Sequence, residues 1–275
     1  MSSEENMNLI EAIILGVVQG LTEFLPVSSS GHLVMVQKLL GIDDSAIMTF
    51  YIALHVATLF AVVFVYWKKI LEMIRHPFSK LPVQIVVATI PAVILTVLFS
   101  DFIESTYVSS AILGPGFIFT GLALIFSEKV GNGKKNLKDL KTSDSLLIGL
   151  GQGIALLPSV SRSGMTITTA LALGLERGFA ADFSFLMSIP PILGGALLDS
   201  LDIVQGGSAG FQSIGLLNLL AGMLAAGITG FFAVKLMLTA IKKMKLKYFA
   251  YYVIALGTFI IISRLFFPEA VGWLL

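Results

Sequence analysis

The sequence has no cysteine, which excludes a disulfide framework, thiolate chemistry and a cysteine-rich metal site. Charge is scarce as well. Asp, Glu, Lys and Arg make up 13% of the 275 residues, about half of the roughly 25% usual in soluble domains. The net charge is +1, so nothing global points to nucleic acid as a partner. The opening stretch MSSEENMNLIEAIILGVVQG lacks the basic n-region and small-residue cleavage site of a signal peptide, and reads as a retained N-terminus. What fills the chain instead is apolar: 56% of residues are hydrophobic, in runs that repeatedly approach membrane-spanning length. That combination fits a polytopic helical membrane protein.

Six stretches are long and apolar enough to cross a bilayer: 47–66, 82–100, 111–127, 183–200, 214–236 and 248–267. Two regions differ. Residues 9–42 and 145–175 each hold two short apolar pieces around a knot of Pro, Ser and Gly, PVSSSGH (26–32) and PSVSRSGMT (158–166). Pieces of about a dozen residues are too short to cross alone, so each region predicts a helix-loop-helix that dips into the membrane and returns. The expected fold is therefore all-α, with six transmembrane helices and two re-entrant hairpins.

Basic residues concentrate in 67–80, 128–141 and 242–247, whereas Asp43, Asp44, Asp101, Glu104, Asp199 and Asp202 mark the opposite ends. Lys/Arg-rich loops stay cytoplasmic. Following the chain from there leaves both termini extracytoplasmic and sends the two hairpins in from opposite faces. The halves also match in sequence. At a constant offset of 133 residues, Gly16, Gln19, Gly20, Val27, Ser28, Ser30, Gly31, Leu40, Gly41 and Phe50 meet Gly149, Gln152, Gly153, Val160, Ser161, Ser163, Gly164, Leu173, Gly174 and Phe183. The expectation is one membrane domain, 1–275, built as inverted repeats over about 9–127 and 145–267, with a binding site near the midplane where broken helices meet.

Each knot places serines and a glycine ahead of a helical run. Ser30 and Ser163 are candidate N-caps, and Gly31 and Gly164 allow close backbone approach. Two helix N-termini meeting from opposite faces favour a phosphate-sized anion. Arg162, placed at membrane depth, needs an anionic partner. It is either a fork for phosphate oxygens or an ion pair with Glu23 that ties the hairpins together. Gln19 and Glu23 are four apart and share a helical face. His32 is a candidate acid, base or nucleophile, or else a satisfied core histidine. His55 is expected to make an interhelical hydrogen bond, His76 to be interfacial, Pro190–Pro191 to kink its span, and Gly194–Gly195 to allow close helix contact.

QGLTE (19–23), PVSSSGH and PSVSRSGMT together resemble the undecaprenyl-pyrophosphate phosphatase family linked to bacitracin resistance, and the likeness extends over essentially the whole chain. The resemblance implies hydrolysis of a C55 isoprenyl diphosphate to the monophosphate, recycling the carrier for cell-wall glycans. It implies that Glu23, Ser29, His32 and Arg162 are catalytic. Gln19, Ser28, Ser30, Gly31, Ser161, Ser163, Gly164 and Thr166 would form the phosphate shell. A divalent cation, Mg²⁺ or Ca²⁺, would bind with Glu23 as its protein ligand; the site would lie towards the extracytoplasmic side, and the chain would dimerise. Gln19 stands where many relatives have Glu, and Ser159 replaces a usual Gly. Ser29, His32 or a water is the nucleophile. Lipid phosphatases of the phosphatidic-acid type share Ser-Gly-His and Ser-Arg but need a second histidine after the Ser-Arg, which SRSGMTITTALALGLE lacks. The rival reading is a transporter or flippase using the same midplane anion site.

Overall fold

The computed structural model describes residues 7–42, 44–108, 110–130, 133–206, 214–243 and 246–266. Among them the chain is all-helical: α1 (Leu9–Phe24), α2 (Ser29–Leu40), α3 (Asp44–Arg75), α4 (Lys80–Leu98), α5 (Ser100–Val108), α6 (Leu113–Lys129), α7 (Thr142–Ile154), α8 (Arg162–Ala172), α9 (Arg177–Leu186), α10 (Ile189–Gly206), α11 (Leu216–Lys242) and α12 (Leu246–Phe266). Five helical stretches are long and apolar enough to cross a membrane: Ile47–Arg75, Lys80–Leu98, Arg177–Leu198, Leu216–Lys242 and Leu246–Phe266. The sixth expected span, 111–127, is the 17-residue α6. At ~1.5 Å per residue it reaches only about 25 Å. The 3₁₀ turn Ser110–Ile112 sets its start.

Glycine explains how the short helices pack. Gly16 of α1 lies against the backbone of Gly222 on α11, and one turn on Gly20 faces Ala226 and Gly230 of the same helix. In the second half Gly149 of α7 meets the carbonyl of Ala88 on α4, and Gly153 meets Leu95 and Ala92. Small residues let helix backbones approach where lipid supplies no hydrophobic drive. The hairpins close alike. Gly41 and Gly174, after α2 and α8, both take positive φ, +70° and +84°, a conformation that costs glycine no Cβ clash.

The Pro190–Pro191 pair interrupts its span as expected. The helix stops at Leu186 and resumes at Ile189, because a proline nitrogen has no N–H for the preceding turn. The Ser188 hydroxyl donates to the Phe185 carbonyl at 2.7 Å. Gly194 and Gly195 do not mediate the close helix contact expected of them. Among the described residues a Cβ at either position would meet open space, and Gly195 faces a cavity.

Polarity is distributed inside out. Phe60, Phe64, Val97, Leu216 and Leu236 are exposed, whereas Gln19, Glu23, Gln152, Ser159, Ser161, Ser163 and Thr166 are buried. An apolar exterior around polar interior side chains suits a lipid environment, and the chain is a multi-pass membrane protein. The basic segments gather at one end of the bundle. Lys80 donates to the Lys138 carbonyl at 2.6 Å, and the Leu246 N–H to Glu128 at 2.6 Å. Asp43, both termini and parts of the 128–141 and 242–247 loops lie outside the described residues, as do the side chains of Asp44, Glu104, Asp199 and Asp202.

Candidate active site

The structure brings the two polar knots together. Gly31, in the first turn of α2, packs so closely on Phe117 and Ser159 that a Cβ there would lie 2.5 Å from the Phe117 ring. Ser163 donates to the Leu25 carbonyl at 3.2 Å, knot to knot. Between them a cavity of ≈ 270 Å³ is lined by Glu23, Ser28, Ser29 and Ser30 from one hairpin and Val160, Ser161 and Arg162 from the other. Helices α3 and α10 add Ile52, His55, Pro191 and Ile192.

The helix caps fall two residues earlier than the sequence suggested. Ser28 and Ser161 are the N-caps, with Ser30 and Ser163 inside the first turns. A cap must reach the N–H two or three residues on, and Ser161 does so, accepting from Gly164 at 3.1 Å. Ser28 makes no such bond and sits at φ +68°. In both turns cap and inner serine are paired at 3.2 Å, Ser28 with Ser30 and Ser161 with Ser163.

Glu23 is the hub. Its Oε1 accepts from Arg162 Nη2 at 2.7 Å. Its Oε2 accepts from the Ser29 hydroxyl at 2.7 Å and from Gln19 Nε2 at 3.1 Å. His55 Nε2 lies 3.7 Å from the same Oε2. Both members of the Glu23–Arg162 pair are largely withdrawn from solvent, so each holds the other's charge in place. A carboxylate bonded to a serine hydroxyl can take that proton as the oxygen becomes a nucleophile, and the guanidinium and two helix N-termini suit an anion.

Not every expected residue faces the cavity. His32 points away from it. One ring nitrogen is 2.7 Å from the Ser28 carbonyl and the other 2.7 Å from the Tyr252 hydroxyl, with Phe117 edge-on. Its partners therefore do not include Glu23. Thr166 is fully buried and paired with Ser184 at 2.6 Å. Gln19, Gly31, Ser163 and Gly164 stand behind the lining residues. Thr120 was not legible beforehand. From α6 it accepts the Ser161 N–H at 3.0 Å and donates to the Ser159 carbonyl at 3.3 Å, fixing the second knot. A lone threonine in an apolar span carries no signal of this. His55 had one: it is among three histidines in the chain and sits inside a span.

Among the described residues no group of three or more His, Cys, Asp or Glu gathers as a metal-binding cluster. A hard cation needs less than that when substrate phosphates complete its shell. Glu23, with the buried and unpartnered Oε1 of Gln19 beside it, fits such an ion.

Fold and site together define an integral-membrane protein with a polar cavity built from two short-helix hairpins. Comparison with known sequences then narrows the class. The profile of the family described as bacitracin resistance protein BacA matches residues 12–259, and the chain belongs to that family. It is 45% identical over 258 residues to the undecaprenyl-diphosphatase of Carboxydothermus hydrogenoformans, covering 94% of this chain and 98% of the relative. It is 42% identical over 277 residues to that of Alkaliphilus metalliredigens, covering 94% and 100%. Undecaprenyl-diphosphatase 3 of Bacillus cereus is 43% identical over 258 residues, covering 94% and 98%.

Proposed function

We propose that the protein hydrolyses undecaprenyl diphosphate to the monophosphate and inorganic phosphate, recycling the lipid carrier. The observation that carries the mechanism is the Ser29–Glu23–Arg162 constellation on the cavity wall. Phosphoryl transfer depends chiefly on positioning and charge neutralisation. Arg162 and the N-terminal turns of α2 and α8 would hold the terminal phosphate. Ser29 would attack it as Glu23 takes the serine proton. Glu23 with Gln19 would hold a Mg²⁺ or Ca²⁺ ion, whose chemistry is to neutralise phosphate charge. His32, bonded to the Ser28 carbonyl, serves here by holding the first turn of α2 rather than by touching phosphate. Ser28, Ser30 and Ser161, which line the cavity beside Ser29, would contact the phosphate; Ser163, Gly164 and Thr166 would support the loop that carries Arg162. A flippase would need the guanidinium and the helix ends, but it has no use for a serine hydroxyl bonded to a carboxylate.

The finer topology belongs to the same reading. The hairpins α1–α2 and α7–α8 would be re-entrant, α6 would act as a sixth, thin span, and the halves would form an inverted repeat. Helix starts that keep the offset of 133 residues support the repeat: Ser29 and Arg162, Asp44 and Arg177, Leu113 and Leu246. The basic end would be cytoplasmic and both termini extracytoplasmic. A homodimer is part of the reading. The test is phosphate release by the purified protein from farnesyl diphosphate and a C55 diphosphate, with Mg²⁺, Ca²⁺ or chelator. Cation-dependent release is expected, and none from well-folded protein on either substrate would overturn the reading.

A further inference from the structure

Apart from the active-site cavity, α3 and α11 enclose an apolar groove of ≈ 630 Å³. Small residues, Ala57, Ala61 and Gly227, make room for it, and the rings of Phe64, Phe231 and Phe232 flank it. The groove shares no lining residue with the active-site cavity. On α3 the cavity takes Ile52 and His55, whereas the groove takes Ala57, Ala61 and Phe64, on nearly the opposite face of the helix.

Charge lies at one end of this groove. Gly227 stands beside the Ala57 carbonyl and Phe231 meets Phe64 ring to ring at 6.4 Å, so the two helices run in the same direction. Lys68 and Lys235 each follow four residues after that ring contact, about 6 Å nearer the basic end of the bundle. Both are exposed. Lys235 Nζ lies 4.1 Å from the centroid of the Phe231 ring, a cation over the groove's own wall. Each lysine also stands seven residues, about 10 Å, short of its helix end at Arg75 or Lys242. A lysine at that depth needs an anionic partner, or a stem long enough to carry its charge to one. Neighbouring lysines have theirs: Lys69 pairs with Asp182, and Lys135 with Asp144. Among the described residues, Lys68 and Lys235 form no ion pair.

We infer that the groove is a binding site for an anionic phospholipid, with one acyl chain along α3 and α11 and the phosphate on Lys68 and Lys235. The lysines select an anionic over a zwitterionic headgroup, and the groove fixes where the chain lies. Its length fits such a chain. Met223 to Phe232 is nine residues, about 14 Å of helix, close to the roughly 15 Å of hydrocarbon in one leaflet. A C55 isoprenyl chain would extend well beyond it. The site stands independently of the phosphatase reading.

Trp67, exposed and next to Lys68 in the chain, reports on binding. With Trp273→Phe as background, the full chain is reconstituted in phosphatidylcholine bilayers. Quenching of Trp67 by brominated phosphatidylglycerol, compared with brominated phosphatidylcholine, then gives a relative binding constant. A preference for phosphatidylglycerol of about fivefold or more is expected, falling to within about twofold of parity in K68Q/K235Q. G227L tests the groove with both lysines kept. Among the described residues an added Cβ there meets the Ala57 carbonyl alone, at 3.6 Å, so the leucine fills the groove and should lower the preference likewise. A wild-type preference below about twofold overturns the inference. So does full preference retained in G227L, which would reduce the lysines to a general surface attraction. Displacement of the brominated phosphatidylglycerol by undecaprenyl phosphate at a lower mole fraction than by phosphatidylglycerol would also overturn it, making the groove an isoprenyl site.

Discussion

Aligned at their offset of 133 residues, hairpins α1–α2 and α7–α8 share a frame and differ in charge. Both have a serine cap bonded to an inner serine at 3.2 Å. Both have a glycine in the first turn and a buried glutamine on the preceding helix, Gln19 and Gln152. Yet Glu23 corresponds to Leu156, Ser29 to Arg162, and His32 to Met165. Glu23 and Ser29 sit on one hairpin and Arg162 on the other, so the Glu23–Arg162 bond is also the seam between them. On the proposed reading, the shared frame would supply two anion-binding helix ends, and the side chains that differ would supply one reactive centre.

The largest expected effect follows from that division. Ser29→Ala should lower kcat on the order of 10³-fold or more, because on the proposed reading it removes the attacking oxygen. Ser161→Ala, in the other hairpin, should instead lose a cap and cost about 1 kcal/mol of stability. Steady-state kinetics and thermal unfolding of both variants check the contrast. A Ser161→Ala chemical defect as large as that of Ser29→Ala would mean that the hairpins divide the work differently.

Next comes the seam. Arg162→Leu leaves the Glu23 carboxylate withdrawn from water without its partner, a loss of about 3–5 kcal/mol for buried pairs. The double variant Glu23→Leu/Arg162→Leu removes both charges and should recover most of that stability while remaining inactive. Unfolding in detergent measures this. Additive losses would show that the pair does not hold the hairpins together. The glutamines offer a smaller contrast. Gln19→Leu removes a charge-assisted bond to Glu23, of about 1.5–3 kcal/mol. It should lower kcat roughly tenfold or more. Gln152→Leu removes no hydrogen bond to the charged pair and should leave kcat within about threefold.

Much of this was legible in the sequence for physical reasons. Apolar runs and basic loops mark spans wherever lipid is the solvent, and five of the six expected spans are helices of crossing length. The knots stood out because Glu23, Arg162 and clustered serines are costly in an apolar setting. Side-chain direction was not legible. The spacing of His32 and Glu23 does not reveal that Tyr252, 220 residues away, engages the histidine. Nor does it reveal that a turn of α3 delivers His55 to the cavity instead. The caps were misplaced by two residues because both knots offer alternating serines, and only the backbone path decides which precedes the helix.

The smallest prediction concerns Ser159, where the resemblance anticipates glycine. The residue is fully buried at φ +63°, its hydroxyl without a partner, and its carbonyl accepts from Thr120. An L-side chain in that left-handed region costs roughly 1–2 kcal/mol relative to glycine. Its counterpart in the first hairpin is Pro26, whose ring excludes positive φ, so there the strained residue is Ser28, two positions further on. Ser159→Gly should relieve the strain at a cost in unfolded-chain entropy of about 0.4–1 kcal/mol. The net should be a gain of up to about 1.6 kcal/mol with kcat unchanged. Loss of both stability and activity would show instead that the hydroxyl, packed against Gly31, is what keeps the two first turns in register.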